Sequence, residues 1–349
     1  MRSTSMILGK MAGLIGAFAV AQATLAGQAP SVPGAAPPPV VRTITQVRGD
    51  LYKVQTGQGI SPVTVFLVTP EGIILADPLN KEFAEWLKAE LATRFPGNPV
   101  RYVLQSHYHW DHARGGAVFA DTARFIGHES MAGKMKARIN DARPPGDTAD
   151  LDGDDRLDRQ EALTGTRAQF DRMDVNRDGF LTQAEMHAEV QVPGITFKDR
   201  YTLSLGGKSV ELVHAGGRHT SDMFDVYFPA ERVLFAQDYV WPKRLCCNFA
   251  FDRMPMSVWI ASLRNLERLD FDTFVGSHWE GGSRADFEAV RKYFEALETA
   301  VAAGIRSGAT LEEMQKNIRL EEYKDWTGHE QLPAIIASAY ASLTQYPTR

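Results

Sequence analysis

The chain reads as an α/β protein in which two β-sheets pack face to face and helices cover their outer sides. Three observations point there. Short runs rich in Val, Ile, Leu and Phe, separated by turn residues, fall in two blocks, 50–105 and 195–240. Stretches with helical spacing flank both blocks, an order that suits two packed sheets with helices outside. No glycine-rich phosphate loop follows the first strand, which argues against a doubly wound sheet.

Taken in order, LYKVQT, VTVFLVT and GIILAD are expected strands. Lys81 to Arg94 then places Phe83, Trp86, Leu87 and Leu91 on one helical face, and Pro96, Gly97 and Pro99 stop it. VRYVLQ is a buried strand, 115–120 a short helix, ARFIGHE a strand and 130–139 a helix. Residues 141–190 break the pattern, because Arg, Pro, Asp and Gly dominate and apolar strands vanish. Strands resume after Pro193 as ITFKDRYTLSL, SVELVHA, MFDVYFP and RVLFAQDYV. A helix over 257–269, the strand DTFVGS and helices over 285–304, 310–318 and 333–345 complete the chain.

The first residues carry a different signal. Arg2 and Lys10 precede an apolar run from Met11 to Ala21, and Ala21, Ala23, Ala26, Gly27 and Ala29 follow. A basic start, a short apolar core and a small-residue zone describe a secretory signal peptide. The run is shorter than the roughly 20 apolar residues of a membrane span. The expected division is a signal peptide over 1–29, a Pro/Ala-rich linker over 30–44, one folded domain over 45–140 and 191–349, and an insert over 141–190. The mature protein is then periplasmic or secreted, with no membrane attachment after cleavage.

At 349 residues, with 44% hydrophobic and 23% charged residues, the composition is that of a globular domain large enough to build its own core. A net charge of −5 without a basic stripe excludes nucleic acid as a partner and leaves a small-molecule substrate. The two cysteines, Cys246 and Cys247, are adjacent, so no disulfide framework spans the fold.

The chemistry concentrates in Ser106-His107-Tyr108-His109-Trp110-Asp111-His112, directly after a buried strand. If the chain leaves that strand extended, residues 107 and 109 point the same way and can grip one cation. A turn at Trp110 swings Asp111 and His112 toward a second. Imidazole nitrogens and carboxylate oxygens suit zinc, and iron or manganese as well. His219, Asp238 and His278 each stand just past a strand, as His107 does, so all can collect at one edge of the sheets. His128, His187 and His329 have no such companions and read as structural; His214, five residues before His219, reads as structural or as a support for it.

HYHWDH resembles the HxHxDH signature of the metallo-β-lactamase superfamily, and GRHTSD, FAQD and GSH follow in that family's order. The resemblance covers about 45–285 without the insert and implies an αββα sandwich holding two zinc ions. It implies that His107, His109 and His219 bind the first ion, that Asp111, His112 and His278 bind the second, and that Asp238 bridges them. Asp77, ending GIILAD, matches the family's early aspartate and would orient a ligand imidazole. The implied reaction is hydrolysis by a hydroxide held between the cations, with Asp111 as the catalytic residue that holds the nucleophile and carries its proton. A bridging aspartate resembles the lactonase, thioesterase and phosphodiesterase branches, so a lactone, ester or thioester is the expected substrate and a β-lactam the alternative. An iron-dependent oxidoreductase on the same fold and a non-catalytic calcium-binding protein are the competing classes. Lys243 and Arg244 either hold a substrate carboxylate or are solvated surface charges, and Trp110, Trp241 and Trp279 either wall the pocket or belong to the core.

The insert holds a second cation motif. Asp174-Val-Asn-Arg-Asp-Gly-Phe-Leu-Thr-Gln-Ala-Glu185 matches the twelve-residue EF-hand calcium loop. Asp174, Asn176, Asp178, the Phe180 carbonyl and Glu185 supply oxygens, and Gly179 makes the sharp turn. Asp150, Asp152, Asp154, Arg156 (through its carbonyl) and Glu161 repeat the spacing 24 residues earlier, with Leu157 opposite Leu181. Asp155 stands there in place of the glycine. One or two calcium ions are expected.

Overall fold

A computed structural model describes residues 41–57, 59–139, 156–162, 167, 170–187, 189–238, 240–245, 251 and 254–346. The signal peptide, most of the linker, Asp150, Asp152, Asp154, Cys246 and Cys247 lie outside the described residues.

Thirteen strands form two sheets among the described residues. The first runs in the order β1 (Arg42–Arg48), β2 (Leu51–Thr56), β3 (Val63–Thr69), β4 (Gly72–Ala76), β5 (Val100–Leu104), β6 (Arg124–His128) and β7 (Ile195–Phe197). It is antiparallel from β1 to β4 and parallel from β4 to β7. The second runs β13 (Gly282–Ser283), β12 (Thr273–Gly276), β11 (Val233–Ala236), β10 (Asp225–Phe228), β9 (Lys208–Val213) and β8 (Arg200–Leu205). Only β11 and β12 run parallel in it.

Three apolar layers hold these sheets. Leu51, Val65, Leu67, Ile74, Leu104, Leu212, Val226, Phe228 and Phe235 meet between them. Phe66, Leu75 and Val103 face outward onto Phe83, Leu87 and Leu91 of α1 (Lys81–Arg94). Leu234 and Phe274 face outward onto Trp259, Phe294 and Ile336 of the C-terminal helices. The result is the expected layering of helix, sheet, sheet and helix.

α1 has the ends that its spacing predicts, and the Asn80 side chain accepts from the Phe83 amide as its cap. Two boundaries differ from expectation. β1 begins at Arg42, so the last three linker residues are strand; RTITQVR is an edge strand with little buried surface and hence a weak apolar signal. Val190 already packs between the sheets, so the main body resumes before residue 191. The short helix expected over 115–120 is a 3-10 helix over Arg114–Phe119. No helix among the described residues is long and apolar enough to cross a membrane.

Candidate metal centre

Ligand-type side chains gather where strands of both sheets end. His107 follows β5, Asp238 follows β11 and His278 follows β12. The Val63 amide donates to the Ser277 carbonyl at 2.6 Å, joining the sheets at this edge. His219 comes from the loop after β9, where Gly217 is needed because a Cβ there would collide with the Thr220 carbonyl and Ser221 backbone. The turn at Trp110 is a one-turn helix, α2 (Trp110–Ala113), that starts after His109 and carries Asp111 and His112 on adjacent positions.

Two groups result. In the first, His107, His109, His219 and Asp238 each offer one ligand atom, all within 4.8 Å of one another; in the second, Asp111, His112 and His278 do the same. Asp238 straddles them. Its Oδ2 lies 3.4 Å from His219 Nε2 and 3.7 Å from His107 Nε2, while its Oδ1 lies 3.4 Å from both His112 Nε2 and His278 Nε2. Asp111 Oδ2 is 3.6 Å from His112 Nε2 and 3.5 Å from His278 Nε2. The seven residues picked from sequence are therefore together. His128, His187, His214 and His329 lie outside both groups.

Supporting contacts fix which nitrogen faces inward. His112 Nδ1 is 3.2 Å from Asp77 Oδ2, and His278 Nδ1 is 2.6 Å from the Ile60 carbonyl. Both partners only accept, so each Nδ1 carries a hydrogen and each Nε2 is the nitrogen left to face the cleft. Those two Nε2 atoms stand 3.2 Å apart, and His219 Nε2 stands 2.9 Å from His109 Nδ1. Ring nitrogens this close need a proton or a cation between them. His107 Nε2 is buried without a hydrogen-bond partner, an expensive state that a cation relieves. The donor set of imidazoles and carboxylates fits a pair of zinc-like ions.

Electrostatics agree. Burial, reinforced by neighbouring histidines, holds His107 and His219 well below the ordinary imidazole range. Burial also opposes charge on His112, yet the carboxylates of Asp111, Asp238 and Asp77 raise it to about 10. Burial opposes charge on Asp238 too, but the surrounding histidines hold its carboxyl well below the usual range.

Several supporting residues escaped sequence reasoning. Asp77 does more than orient one ligand: it also accepts from the Ser106 amide at 2.8 Å and hydroxyl at 2.7 Å, and Ser106 Oγ lies 3.1 Å from His107 Nδ1. It does so from a left-handed backbone (φ +55°), a conformation that costs a non-glycine residue energy. The Ser277 hydroxyl donates to Asp238 Oδ1 at 2.6 Å. Buried Arg218 pairs twice with Asp225, at 2.6 and 3.0 Å, and donates to the carbonyls of Gln237 and Asp238. Asp222 accepts from the Tyr108 amide at 3.0 Å and from Lys134 at 2.9 Å, tying the two ligand loops together. Ser106, Arg218 and Ser277 each directly precede a ligand histidine, and that adjacency was the only available signal. Of the wall candidates, Trp241 and Trp279 meet edge to face at 4.6 Å, and Arg244 stacks on Trp279 at 4.9 Å.

In the insert, Gly179 has φ +87°, and the Asp178 and Gly179 amides donate to Asp174 at 3.1 and 3.0 Å. The Leu181 amide donates to the Leu157 carbonyl at 2.9 Å, and Asp158 pairs with Phe180. Short helices α4 (Phe170–Met173) and α5 (Gln183–His187) flank the loop; α3 (Glu129–Ile139) packs against α5.

Comparison with known proteins gives consistent relatives. Residues 58–278 match the family model described as "Metallo-beta-lactamase superfamily". The alpha subunit of 2,4-dinitroanisole O-demethylase from Nocardioides sp. (strain JS1661) is 25% identical over 272 residues, covering 77% of this chain and 67% of that protein. A metallo-beta-lactamase from Pontibacter korlensis superposes with a TM-score of 0.52 at 18% identity, over 73% of this chain and 99% of that one. The stereoselective inverting sec-alkylsulfatase Pisa1 from Pseudomonas sp. gives a TM-score of 0.59 at 16% identity, over 88% of this chain but half of that one.

Proposed function

The chain belongs to the metallo-beta-lactamase superfamily, and we propose that it is a dinuclear metal-dependent hydrolase acting on a lactone, ester or thioester. The observation that carries the reading is Asp238, whose two oxygens reach the two ligand groups separately. Two zinc ions, when bound, acidify a water and polarise the electrophile's oxygen. His107, His109 and His219 would hold one ion and Asp111, His112 and His278 the other, with Asp238 shared. Asp111 is the least buried of the second group, so it can also hold the attacking water's proton and pass it to the leaving group. Asp77 and Ser106 keep the imidazoles aimed throughout, and no protein nucleophile is required.

An activated aryl ether is a second reading, supported by the relative named as an O-demethylase. Water cleaves such an ether to a phenol and methanol without an oxidant. A β-lactam is less favoured, because an aspartate stands at the bridging position. The reading includes export: removal of 1–29 leaves a periplasmic or secreted enzyme with a small-molecule substrate, which the N-terminal sequence of the mature chain tests. It also includes calcium at 174–185. The turn at Gly179 and a Glu185 Oε1 that is buried without a hydrogen-bond partner support that site. The loop at 150–161 is proposed as its weaker partner.

The test is the zinc-loaded chain against a lactone, an aryl ester, a thioester, a chromogenic cephalosporin and 2,4-dinitroanisole, with oxygen uptake recorded. Turnover of one class without oxygen uptake is expected, and Asp111→Asn should lower kcat by about 10²–10⁴-fold. Oxygen-dependent turnover, or a chain that binds no metal, would overturn the reading.

A further inference from the structure

Trp110 stands between the two cation regions. It opens α2, so the next two residues along the chain are the cleft groups Asp111 and His112. Its side chain nevertheless packs away from the main core, against Leu157, Ala162, Phe170, Met173, Leu181 and Met186 of the insert. Leu181 lies inside the twelve-residue loop, and Met186 follows Glu185, the residue that closes it. A second link runs beside the first. Buried Arg114, one residue past α2, lies 3.5 Å from Glu189 at the insert's exit, and the Ala117 amide donates to the Glu189 carbonyl at 3.3 Å. Arg172 of the insert and Lys81 of α1 meet the same carboxylate at 4.0 and 3.2 Å.

We infer that the insert is a brace for the catalytic loop, and that calcium bound at 174–185 tightens the cleft's hold on its metal through Trp110. The inference rests on the calcium reading above. Closing the loop draws Glu185 toward the other acidic side chains and sets the position of α5, and Met186 on α5 shares one small core with Trp110. A shift of that core displaces α2, which carries two ligands of the second metal. Packed side chains transmit such shifts because the interior has little free volume. Coupling of this kind is reciprocal, so metal in the cleft raises calcium affinity by the same factor.

Reciprocity provides the experiment. Calcium affinity is measured by calorimetry on the full chain, zinc-free and zinc-loaded. Zinc should tighten calcium binding by about tenfold, Trp110→Ala should bring that ratio to near one while calcium still binds, and Trp110→Phe should keep most of it. If Trp110→Ala does not fold, Met186→Ala tests the other side of the same contact. No calcium binding would remove the calcium reading and the inference together. Calcium binding with the same affinity in both forms would overturn the inference alone, and a ratio that survives Trp110→Ala would exclude Trp110 as the conduit.

Discussion

The cleft and the insert loop are both candidate cation sites, yet they are constructed in opposite ways. The insert loop draws its ligands from twelve consecutive residues, and its amides bond within the same segment, as Asp178 and Gly179 do to Asp174. The cleft draws seven ligands from four stretches between His107 and His278 and relies on Asp77, Ser106, Arg218 and Ser277 to aim them. A contiguous site needs only local backbone geometry. A dispersed one needs the whole sandwich first, so it should respond to changes far from any ligand atom.

Four measurements sharpen or break this contrast. The largest effect is expected at Arg218. Arg218→Ala leaves Asp225 buried and unpaired, which should cost about 3–5 kcal/mol in urea unfolding; a loss below about 1 kcal/mol would mean that buried pairing does not hold the His219 turn. Asp77→Ala follows. It frees His112 and, through Ser106, His107, so zinc affinity by chelator competition should fall about 10–100-fold. Unchanged affinity would show that the ligands aim themselves. Third, Glu185→Gln should abolish the rise in Tm that calcium gives the parent chain, a rise worth about 2.7 kcal/mol at a hundredfold excess over Kd. A variant that keeps the full rise would place calcium elsewhere.

The smallest effect concerns His128, a control outside both sites. Burial, and then the neighbouring His214 ring with its centroid 4.4 Å away, lower its pKa below the ordinary value. The unfolded chain therefore takes up a proton below about pH 6.5 that the folded chain resists, and stability falls as pH drops from there. His128→Asn should flatten that part of the stability profile between pH 7 and 5. An unchanged slope would assign the acid sensitivity to other groups.

How much of this could be read from the sequence differs in the same way. In the insert, the turn at Gly179 was legible, because spacing along the chain sets its local geometry. HYHWDH was legible as a ligand source for the same reason, and α1 was legible at both ends from its apolar face and its Pro/Gly stop. His219, Asp238 and His278 were identified one by one from their places after strands and from the family resemblance. β1 was missed, because an edge strand with two polar faces has no strong periodic signal. The role of Trp110 was left between pocket wall and core, since which core it joins depends on where the insert folds back.

By itself the sequence determined the candidate ligand residues of the cleft, the layered αββα architecture and most element positions. Each follows from short-range spacing or from periodic burial. Only the tertiary structure decided which nitrogen each histidine presents, that Asp238 reaches both ligand groups, that Asp77 supports two imidazoles at once, and that Trp110 belongs to the insert's core. Those features depend on hydrogen bonds and packing between segments distant in the chain, as between Ile60 and His278. Such contacts exist only once the two sheets have closed on each other.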